Sequence, residues 1–486
     1  MTRSMPLTGS RHYTRRSTYY ICKSFRACVL IYLIAVLLVI YCLYHVASGV
    51  RLAIIDAIQH SSEVELRRAF EEERTKADDV NVSDASALFR QRPLVVWSQD
   101  FHISPIDDLK YLLRPLGVRF LDRSLSAHCR ITRTCGSDAD LRVVDSENGM
   151  DLYDPTLIRR FHEAYRNDAK MASVDAFVCF HPAAMCELFA PFNKSILVIA
   201  STRYELGRFG AQRWRRLNEN LVRIAADPRN LVAANNRYDA EYIRYFTGIH
   251  ASLLPSYCGY FAVSYRPSKF GYLLAPVRKS GFEKRFLLEF RGRIQDDEGN
   301  SYDATDLDSL LTPLRTLYPN YRYSDLAAHP GIVYIPYQVS VMSLFEQYRM
   351  NIPLFFPSID LLASWQYEHG VMTERTWDVV RGRPPPRGSI IAAHPSQRHR
   401  PDPNDDRNLD AIRYWIKYAD FYRLPHITYF RSADDLADIL RRLQPVDLRQ
   451  ISDSMREHNV RAKRQLRRKW TKILKNVARR SANNPH

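Results

Sequence analysis

Residues 331–358 read GIVYIPYQVSVMSLFEQYRMNIPLFFPS, and the rest of the chain is organised around this stretch. Ile332 to Ile335 is an apolar run that is too short for a helix and rich in strand-forming residues. A helix is predicted after the following polar turn, and it runs through Met350. A second apolar run then covers Ile352 to Phe356. The stretch therefore predicts a strand, a polar turn, a helix and another strand.

Three polar side chains of this unit are expected at the carboxyl end of a strand and in the first turn of a helix: Ser340, Ser343 and Glu346. Open α/β sheets bind ligands at that edge, and free backbone N–H groups at a helix start attract phosphate. The three residues are therefore candidate substrate-binding residues. Ser343 and Glu346 also fit a capping box, in which both side chains bond free amides at a helix start. The two interpretations are compatible until a ligand displaces the cap.

The unit resembles the nucleotide-sugar site in the C-terminal domain of GT-B glycosyltransferases. In many of these a small or polar turn precedes a helix whose early glutamate bonds the donor ribose, and a G-I-P-V strand follows. This chain has Glu346 in the helix and Asn351-Ile352-Pro353-Leu354 in the strand. The resemblance implies that Glu346 bonds the donor ribose. Many retaining members carry a second glutamate seven residues after the first, where this chain has Pro353, so inversion or retention stays open.

Composition limits the classes of function. The chain has 486 residues, 46% of them hydrophobic, and a net charge of +17, which indicates two or three domains and anionic partners. It contains no Gly-x-Gly-x-x-Gly or Walker-type loop, so a phosphate site would use helix amino termini and Arg or Lys. Asp306-Leu-Asp308 matches a metal-binding Asp-x-Asp by its letters, but helix capping explains it better. No metal, cofactor or nucleic-acid partner is expected.

The amino-terminal part predicts a type II membrane protein. Residues 1–26 carry six Arg or Lys and no acidic residue, and residues 27–48 contain no Asp, Glu, Lys or Arg. At 1.5 Å per residue, such a helix spans a hydrocarbon core of about 30 Å. A cleaved signal peptide is the alternative, although its apolar core would be shorter. Residues 49–91 form a charged stem with a glycosylation sequon at Asn81, and Asn193 starts a second sequon. The catalytic portion is thus expected in the lumen of the Golgi or ER.

Residues 92–262 alternate apolar strands with helices, which is typical of a parallel sheet covered on both faces. The predicted strands are Leu94–Trp97, Val118–Leu121, Leu141–Val144, Ala176–Phe180, Ile196–Ala200 and Leu231–Ala234. The predicted helices include Ile106–Arg114, Leu157–Tyr165, Arg213–Ala226 and Ala240–Thr247. This pattern predicts one Rossmann-like domain, which the GT-B resemblance makes the acceptor domain.

A second Rossmann-like domain is predicted over residues 271–450, after a linker from Tyr257 to Phe270. Its first strand, in GYLLAPVRKSG, is followed by Arg278 and Lys279. Similar strands in GT-B proteins deliver basic residues to the donor pyrophosphate, so the resemblance implies that role for both. Ordinary surface charge after a strand is the alternative.

Three further segments complete the second half. A helix is predicted over Asp308–Leu317, and an irregular, Arg- and Pro-rich excursion over residues 380–408. Residues 451–486 contain a basic helix with Trp470 and Leu474 on its apolar side. The resemblance implies that this helix crosses back onto the first domain, and an anionic lipid surface is the other possible partner.

Glycosyl transfer needs a base for the acceptor hydroxyl and positive charge on the leaving pyrophosphate. Three loops that follow predicted strands of the first domain could supply them. The first holds Asp100 and His102, the second His181, and the third Arg203 and Glu205. Asp100, His102 and His181 are the catalytic candidates, with Asp100 and His102 as the first choice for an acid–base pair. Arg203 and Glu205 are substrate-binding candidates.

The sequence is therefore identified as a GT-B-type glycosyltransferase with two Rossmann-like domains facing each other across a cleft. It would transfer a sugar from a nucleotide sugar to a glycan, protein or lipid acceptor. A CDP-alcohol glycerophosphotransferase, which shares the two-domain architecture, is the second hypothesis. A catalytically silent binding protein with the same fold is the third.

Overall fold

The computed structural model describes residues 92–101, 103–125, 142–144, 154–291, 309–384 and 386–482. These residues form two parallel β-sheets covered by helices, as the α/β prediction expected. The predicted anchor, the stem and His102 lie outside the described residues. Within the described part, no helix is both long enough and apolar enough to cross a membrane.

The first sheet has six strands in the order β2-β1-β3-β4-β5-β6, and every neighbouring pair is parallel. Its strands are β1 Leu94–Asp100, β2 Val118–Ser124, β3 Ala176–Cys179, β4 Ser195–Ala200, β5 Leu231–Ala234 and β6 Ser252–Leu253. The direction of winding changes between β1 and β3. In a doubly wound sheet of this kind, ligands bind outside the carboxyl ends of the strands near such a switch point.

The second sheet has five parallel strands in the order β11-β10-β9-β7-β8. They are β7 Tyr272–Leu274, β8 Leu311–Pro313, β9 Ile332–Val333, β10 Leu354–Pro357 and β11 Thr428–Phe430. Counted from β8, this order repeats the order of the first five strands of the first sheet. Its switch point lies between β7 and β9. The fold is therefore GT-B-like, with two Rossmann-like sheets in one chain.

The helices mostly connect successive strands. They are α1 Ile103–Leu113, α2 Pro155–Tyr165, α3 Ala169–Ala172, α4 Cys186–Phe189, α5 Ala211–Ala226, α6 Arg237–Thr247, α7 Phe282–Arg291, α8 Leu314–Leu317, α9 Tyr323–Ala327, α10 Met342–Arg349, α11 Ile359–His369, α12 Trp377–Val380, α13 Leu409–Ile416, α14 Ala433–Arg442 and α15 Pro445–Ala482. All four helices predicted in the first half are present, and each begins two or three residues earlier than the apolar periodicity indicated.

One predicted strand is wrong, and one predicted helix is only partly formed, as α8. Residues 142–144 are not part of a strand, because side chains satisfy their backbone: Arg142 donates its amide to the Tyr165 hydroxyl, and the Val144 carbonyl accepts from Gln99. Within the predicted helix Asp308–Leu317, residues Leu311–Pro313 form the edge strand β8, which pairs with β7. Pairing with a neighbouring strand overrides the local helix preference there.

The long helix α15 joins the two halves of the chain. Its apolar side, with Leu466, Trp470 and Leu474, packs on the face of the first sheet that carries Val96 and Val178. The predicted return of this helix to the first sheet is therefore confirmed. Its binding to a lipid surface stays a prediction.

The segment 380–408 contains little regular structure, as predicted, and it packs against helix α6 of the first half. The Arg400 guanidinium donates to Glu241 at 2.7 Å, and the His394 amide donates to the Tyr245 carbonyl at 2.8 Å. At Gly248, which has φ +74°, an added Cβ would lie 2.8 Å from the His394 ring. This segment therefore brings residues of the second half beside helix α6 of the first half.

Candidate active site

Asp100 is the last residue of β1 rather than a loop residue, and it is 1% exposed. Its Oδ2 accepts hydrogen bonds from the amides of Phe180, at 3.1 Å, and His181, at 2.9 Å. The His181 carbonyl in turn accepts from the Phe101 amide. The Asp100 carboxylate thus joins the loops on either side of the first switch point. Its catalytic role, and that of His181, stay predictions.

Arg203 lies in the loop after β4 and is 2% exposed, with φ +29°. Its amide donates to Asp239 Oδ1 at 2.6 Å, which fixes the turn. The guanidinium carbon lies 4.3 Å from the centroid of the Trp377 ring, yet none of the three guanidinium nitrogens has a hydrogen-bond partner among the described residues. Buried donors normally find acceptors, and an unpaired buried charge is costly. The surroundings of Arg203 therefore suit an anionic group.

Glu205 is 3% exposed and belongs to the same loop. Its Oε1 accepts from the Tyr242 hydroxyl at 2.7 Å, and its Oε2 has no partner within the described structure. Burial raises the pKa of Glu205 to about 7, although Arg203 and the Tyr242 hydrogen bond oppose the shift. A carboxylate with this pKa and a free oxygen can accept a proton near neutral pH.

The amino terminus of α6 positions this loop. Asn236 caps the helix by accepting from the Asp239 amide, and its side chain donates to Asp239 Oδ2 at 2.5 Å. Asp239 then holds the Arg203 amide, while burial raises its pKa. The Asn235-Asn236 turn before a helix was visible in the sequence, but its link to Arg203 was not.

The loops at the second switch point carry a second cationic group. Arg278, after β7, lies with its guanidinium carbon 4.5 Å from the Tyr337 ring centroid, and Tyr337 follows β9. Arg278 is also 3.8 Å from Glu374. Burial raises the pKa of Glu374, whereas Arg278 and Arg203 both lower it. Glu374 therefore lies within electrostatic reach of both arginines. Lys279 is half-buried beside Gly370.

The polar residues of the opening stretch have different hydrogen-bond partners, and their role in substrate binding stays a prediction. Helix α10 begins at Met342 with Val341 as a cap that offers no side-chain hydrogen bond, so the predicted capping box is wrong. Ser340 bonds Asp420, and Ser343 bonds Tyr334.

Glu346 accepts hydrogen bonds from the hydroxyls of Tyr260 and Tyr323, and burial raises its pKa. Tyr260 belongs to the predicted linker, so the Glu346 carboxylate ties α10 to that linker. Its contact with a donor ribose stays a prediction.

Several residues of the site were not found from the sequence: Asp239, Tyr242, Glu374, Trp377 and Asn404. The Asn404 side chain bonds the Tyr242 hydroxyl at 2.9 Å and so connects the irregular segment to Glu205. The two partners are 162 positions apart in the sequence, so this contact is long-range. No local sequence pattern signals it.

Two other predictions concern modification and metals. Asn193 is exposed, and its side chain accepts from Arg229 at 2.6 Å, while Asn81 lies outside the described residues. Glycosylation at both sites stays a prediction. Within the described ranges, no group of three or more His, Cys, Asp or Glu side chains could hold a metal ion. Asp306 and Asp308 lie outside those ranges.

The sequence matches no protein-family profile and no curated protein. Solved structures do match the fold. One is a complex between 3,4-dichloroaniline and a UDP-glucosyltransferase from Polygonum tinctorium that is capable of glucosylating indoxyl. It is 10% identical with a TM-score of 0.42, covering 78% of this chain and 98% of that chain.

Proposed function

We propose that this protein is a glycosyltransferase that moves a sugar from a nucleotide-sugar donor to a glycan, protein or lipid acceptor. The proposal depends on two buried ionisable side chains in the loop after β4, Arg203 and Glu205. That loop holds a buried guanidinium with no hydrogen-bond partner in the described structure, two residues from a buried carboxyl whose pKa is about 7. Transfer from a nucleoside diphosphate needs both a cation for the leaving group and a base for the acceptor.

Arg203 and Arg278 would hold the diphosphate of the donor. They belong to the edges of two different sheets, and Glu374 lies within electrostatic reach of both. A diphosphate that displaces the Glu374 carboxylate would offer stronger acceptors to both guanidinium groups, because charge-assisted bonds to phosphate are frequently bidentate. The Trp377 and Tyr337 rings would hold the two guanidinium planes in place.

Glu205 would act as the base in a direct displacement. Its Oε2 takes the proton of the acceptor hydroxyl while the hydroxyl oxygen forms a bond to the anomeric carbon. The bond between that carbon and the diphosphate oxygen breaks, and its electron pair leaves with the nucleoside diphosphate. Tyr242 would orient the carboxyl group through Oε1. A single displacement predicts inversion at the anomeric carbon.

We infer the location of the enzyme from its amino-terminal sequence. Residues 1–26 are cationic and residues 27–48 uncharged, which favours a single-pass type II protein of the Golgi or ER. The catalytic part would then face the lumen, where Asn81 would carry a glycan. Endoglycosidase treatment of the full-length protein, compared with Asn81→Gln, tests this orientation.

Donor binding and turnover test the activity. The full-length protein would be titrated with UDP, GDP and CMP, and nucleotide release would be measured from the corresponding sugar nucleotides. One nucleotide should bind with Kd below about 1 mM, the upper end of common KM values. Arg203→Gln should weaken that binding, and the paired surface variant Arg285→Gln should not. Turnover of CDP-glycerol without turnover of any nucleotide sugar would identify the glycerophosphotransferase instead.

A further inference from the structure

Two cavities flank the segment 205–216. One has a volume of about 220 Å³ and is lined by Arg208, Arg213 and Arg216 together with Glu187. The other is about 70 Å³ and is lined by Glu205, Arg208, Phe209, Trp377, Arg381 and Arg383 among others. Arg208 lines both. Residues 205–216, which begin with the proposed base Glu205, therefore line part of each cavity.

The two cavities are rich in cations. Five arginines line them, against three carboxylates: Glu187, Glu205 and Asp378. Glu187 pairs with Arg208, and Asp378 lies 3.4 Å from Arg383. Arg213 and Arg216 are exposed on α5 and line the larger cavity. An anionic group in that cavity would be attracted to both guanidinium groups.

The second cavity also has an aromatic wall and two polar groups that have no hydrogen-bond partner within the described residues. Phe209 is 37% exposed, and the Arg381 guanidinium lies 4.2 Å from its ring centroid. Trp377 adds a second ring, whose Nε1 has no partner in the part of the chain that the structure describes. Glu205, at 3% exposure, lines the same cavity and has an unpartnered Oε2. Aromatic faces with a few converging polar groups are typical of small-molecule sites.

We propose that these cavities are the acceptor site and that the acceptor is an acidic saccharide. One hydroxyl group of the acceptor would enter the smaller cavity toward Glu205 Oε2, and its sugar ring would lie at the mouth of the cavity against the exposed ring of Phe209. Its carboxylate or sulfate would pair with Arg381, and the next acidic unit would reach Arg213 and Arg216 in the larger cavity. The inference rests on the proposed glycosyl transfer and adds the class of acceptor.

Three oligosaccharides of equal length test the inference, differing only in their terminal unit: glucuronic acid, 6-O-sulfoglucose or glucose. Binding to the full-length protein would be measured by calorimetry in the presence of the bound nucleotide. At least one acidic oligosaccharide should bind more tightly than the neutral one, and which of the two does so distinguishes a carboxylate from a sulfate. Arg213→Gln and Arg381→Gln should each weaken acidic binding about fivefold, the scale of one partly exposed charge pair.

Arg215→Gln is the matched control, because Arg215 is an exposed arginine of the same helix that lines neither cavity. It should change acidic binding less than about twofold. Equal binding of the neutral oligosaccharide, no binding of any of the three, or an equal loss with Arg215→Gln would overturn the acidic acceptor site. Nucleotide release from the sugar nucleotides is measured in parallel, without acceptor and with each of the three oligosaccharides. If the donor turns over in any of these mixtures but acidic saccharides are not preferred, only the acceptor assignment fails, whereas absence of donor turnover in all of them rejects the proposed function itself.

Discussion

The end of β1 and the loop after β4 lie at the same edge of the first sheet, but their buried ionisable groups differ in whether they have hydrogen-bond partners. Asp100 accepts hydrogen bonds from two backbone amides of the neighbouring loop. Arg203 and Glu205 are buried nearly as deeply, yet the guanidinium and one carboxylate oxygen lack partners in the described structure. Unpaired burial costs stability that paired burial does not. The loop after β4 is therefore expected to bind a ligand. Asp100, at the end of β1, is expected to fix the neighbouring loop in place.

Glu205→Gln should have the largest effect on activity. Replacing the base should lower kcat by about 10²–10⁴-fold, the contribution of general acid–base catalysis. Initial rates with a saturating donor and acceptor measure the loss. Turnover within a few-fold of the unaltered protein would contradict the assignment of the base.

The same variant also tests the pKa of Glu205 through stability. The pKa in the folded protein, about 7, lies above the ordinary 4.5, so the folded state binds the proton more tightly. The resulting stabilisation is complete below pH 4.5 and is lost as the pH rises through about 7. Glu205→Gln keeps a neutral side chain and should exceed the unaltered protein in unfolding free energy at pH 8, by up to about 3 kcal/mol, but not at pH 4. Arg203, Asp239 and Tyr242, which face the carboxyl, are unchanged in this comparison.

Arg203 and Arg375 allow the same comparison between unpaired and paired groups, because both are buried arginines at the junction of the two halves. Arg375 pairs with Asp406 and donates to the Pro403 carbonyl at 2.8 Å. Arg375→Met should therefore lower the free energy of unfolding by about 3–5 kcal/mol. Arg203→Met should lower it by less, because the Arg203 guanidinium makes no hydrogen bond within the described structure, while lowering kcat by about 10²–10³-fold. Denaturant unfolding and kinetics on both variants check this, and a comparable destabilisation by both would make Arg203 a structural residue.

The architecture was predictable because apolar strands of a parallel sheet stand out locally. The runs around Val96, Val178 and Val198 lie within the observed strands β1, β3 and β4. The edge strand β8 was missed, because Leu311–Pro313 is defined by its pairing with β7 rather than by its own composition. At the site, Arg203 and Arg278 were found as candidate binding residues because each follows a predicted strand. Trp377 and Asn404 could not be predicted, because they reach the first half through contacts distant in the sequence.

Arg278 and Arg285 can be compared directly, because both are surface arginines with side chains 57% and 56% exposed. Arg278 follows β7 at the second switch point, whereas Arg285 pairs with Glu289 on helix α7. Arg278→Ala should lower kcat about a hundredfold, because charge on the leaving group grows in the transition state. Arg285→Ala should leave kcat unchanged. If both variants turn over normally at saturating donor, Arg278 is ordinary surface charge.

Asp100→Asn should have the smallest effect on turnover. An asparagine keeps one acceptor oxygen for the amides of Phe180 and His181 but loses the charge of the acceptor. Hydrogen bonds to charged groups contribute about 1.5–3 kcal/mol, so the free energy of unfolding should fall by an amount in that range. The rate should stay within about tenfold, far from the 10²–10⁴ expected for a lost acid–base group. Asp410→Asn, at a side chain 90% exposed, serves as the control for a change of charge alone. An unchanged melting temperature with a loss of turnover above a hundredfold would instead move the base from the loop after β4 to the end of β1.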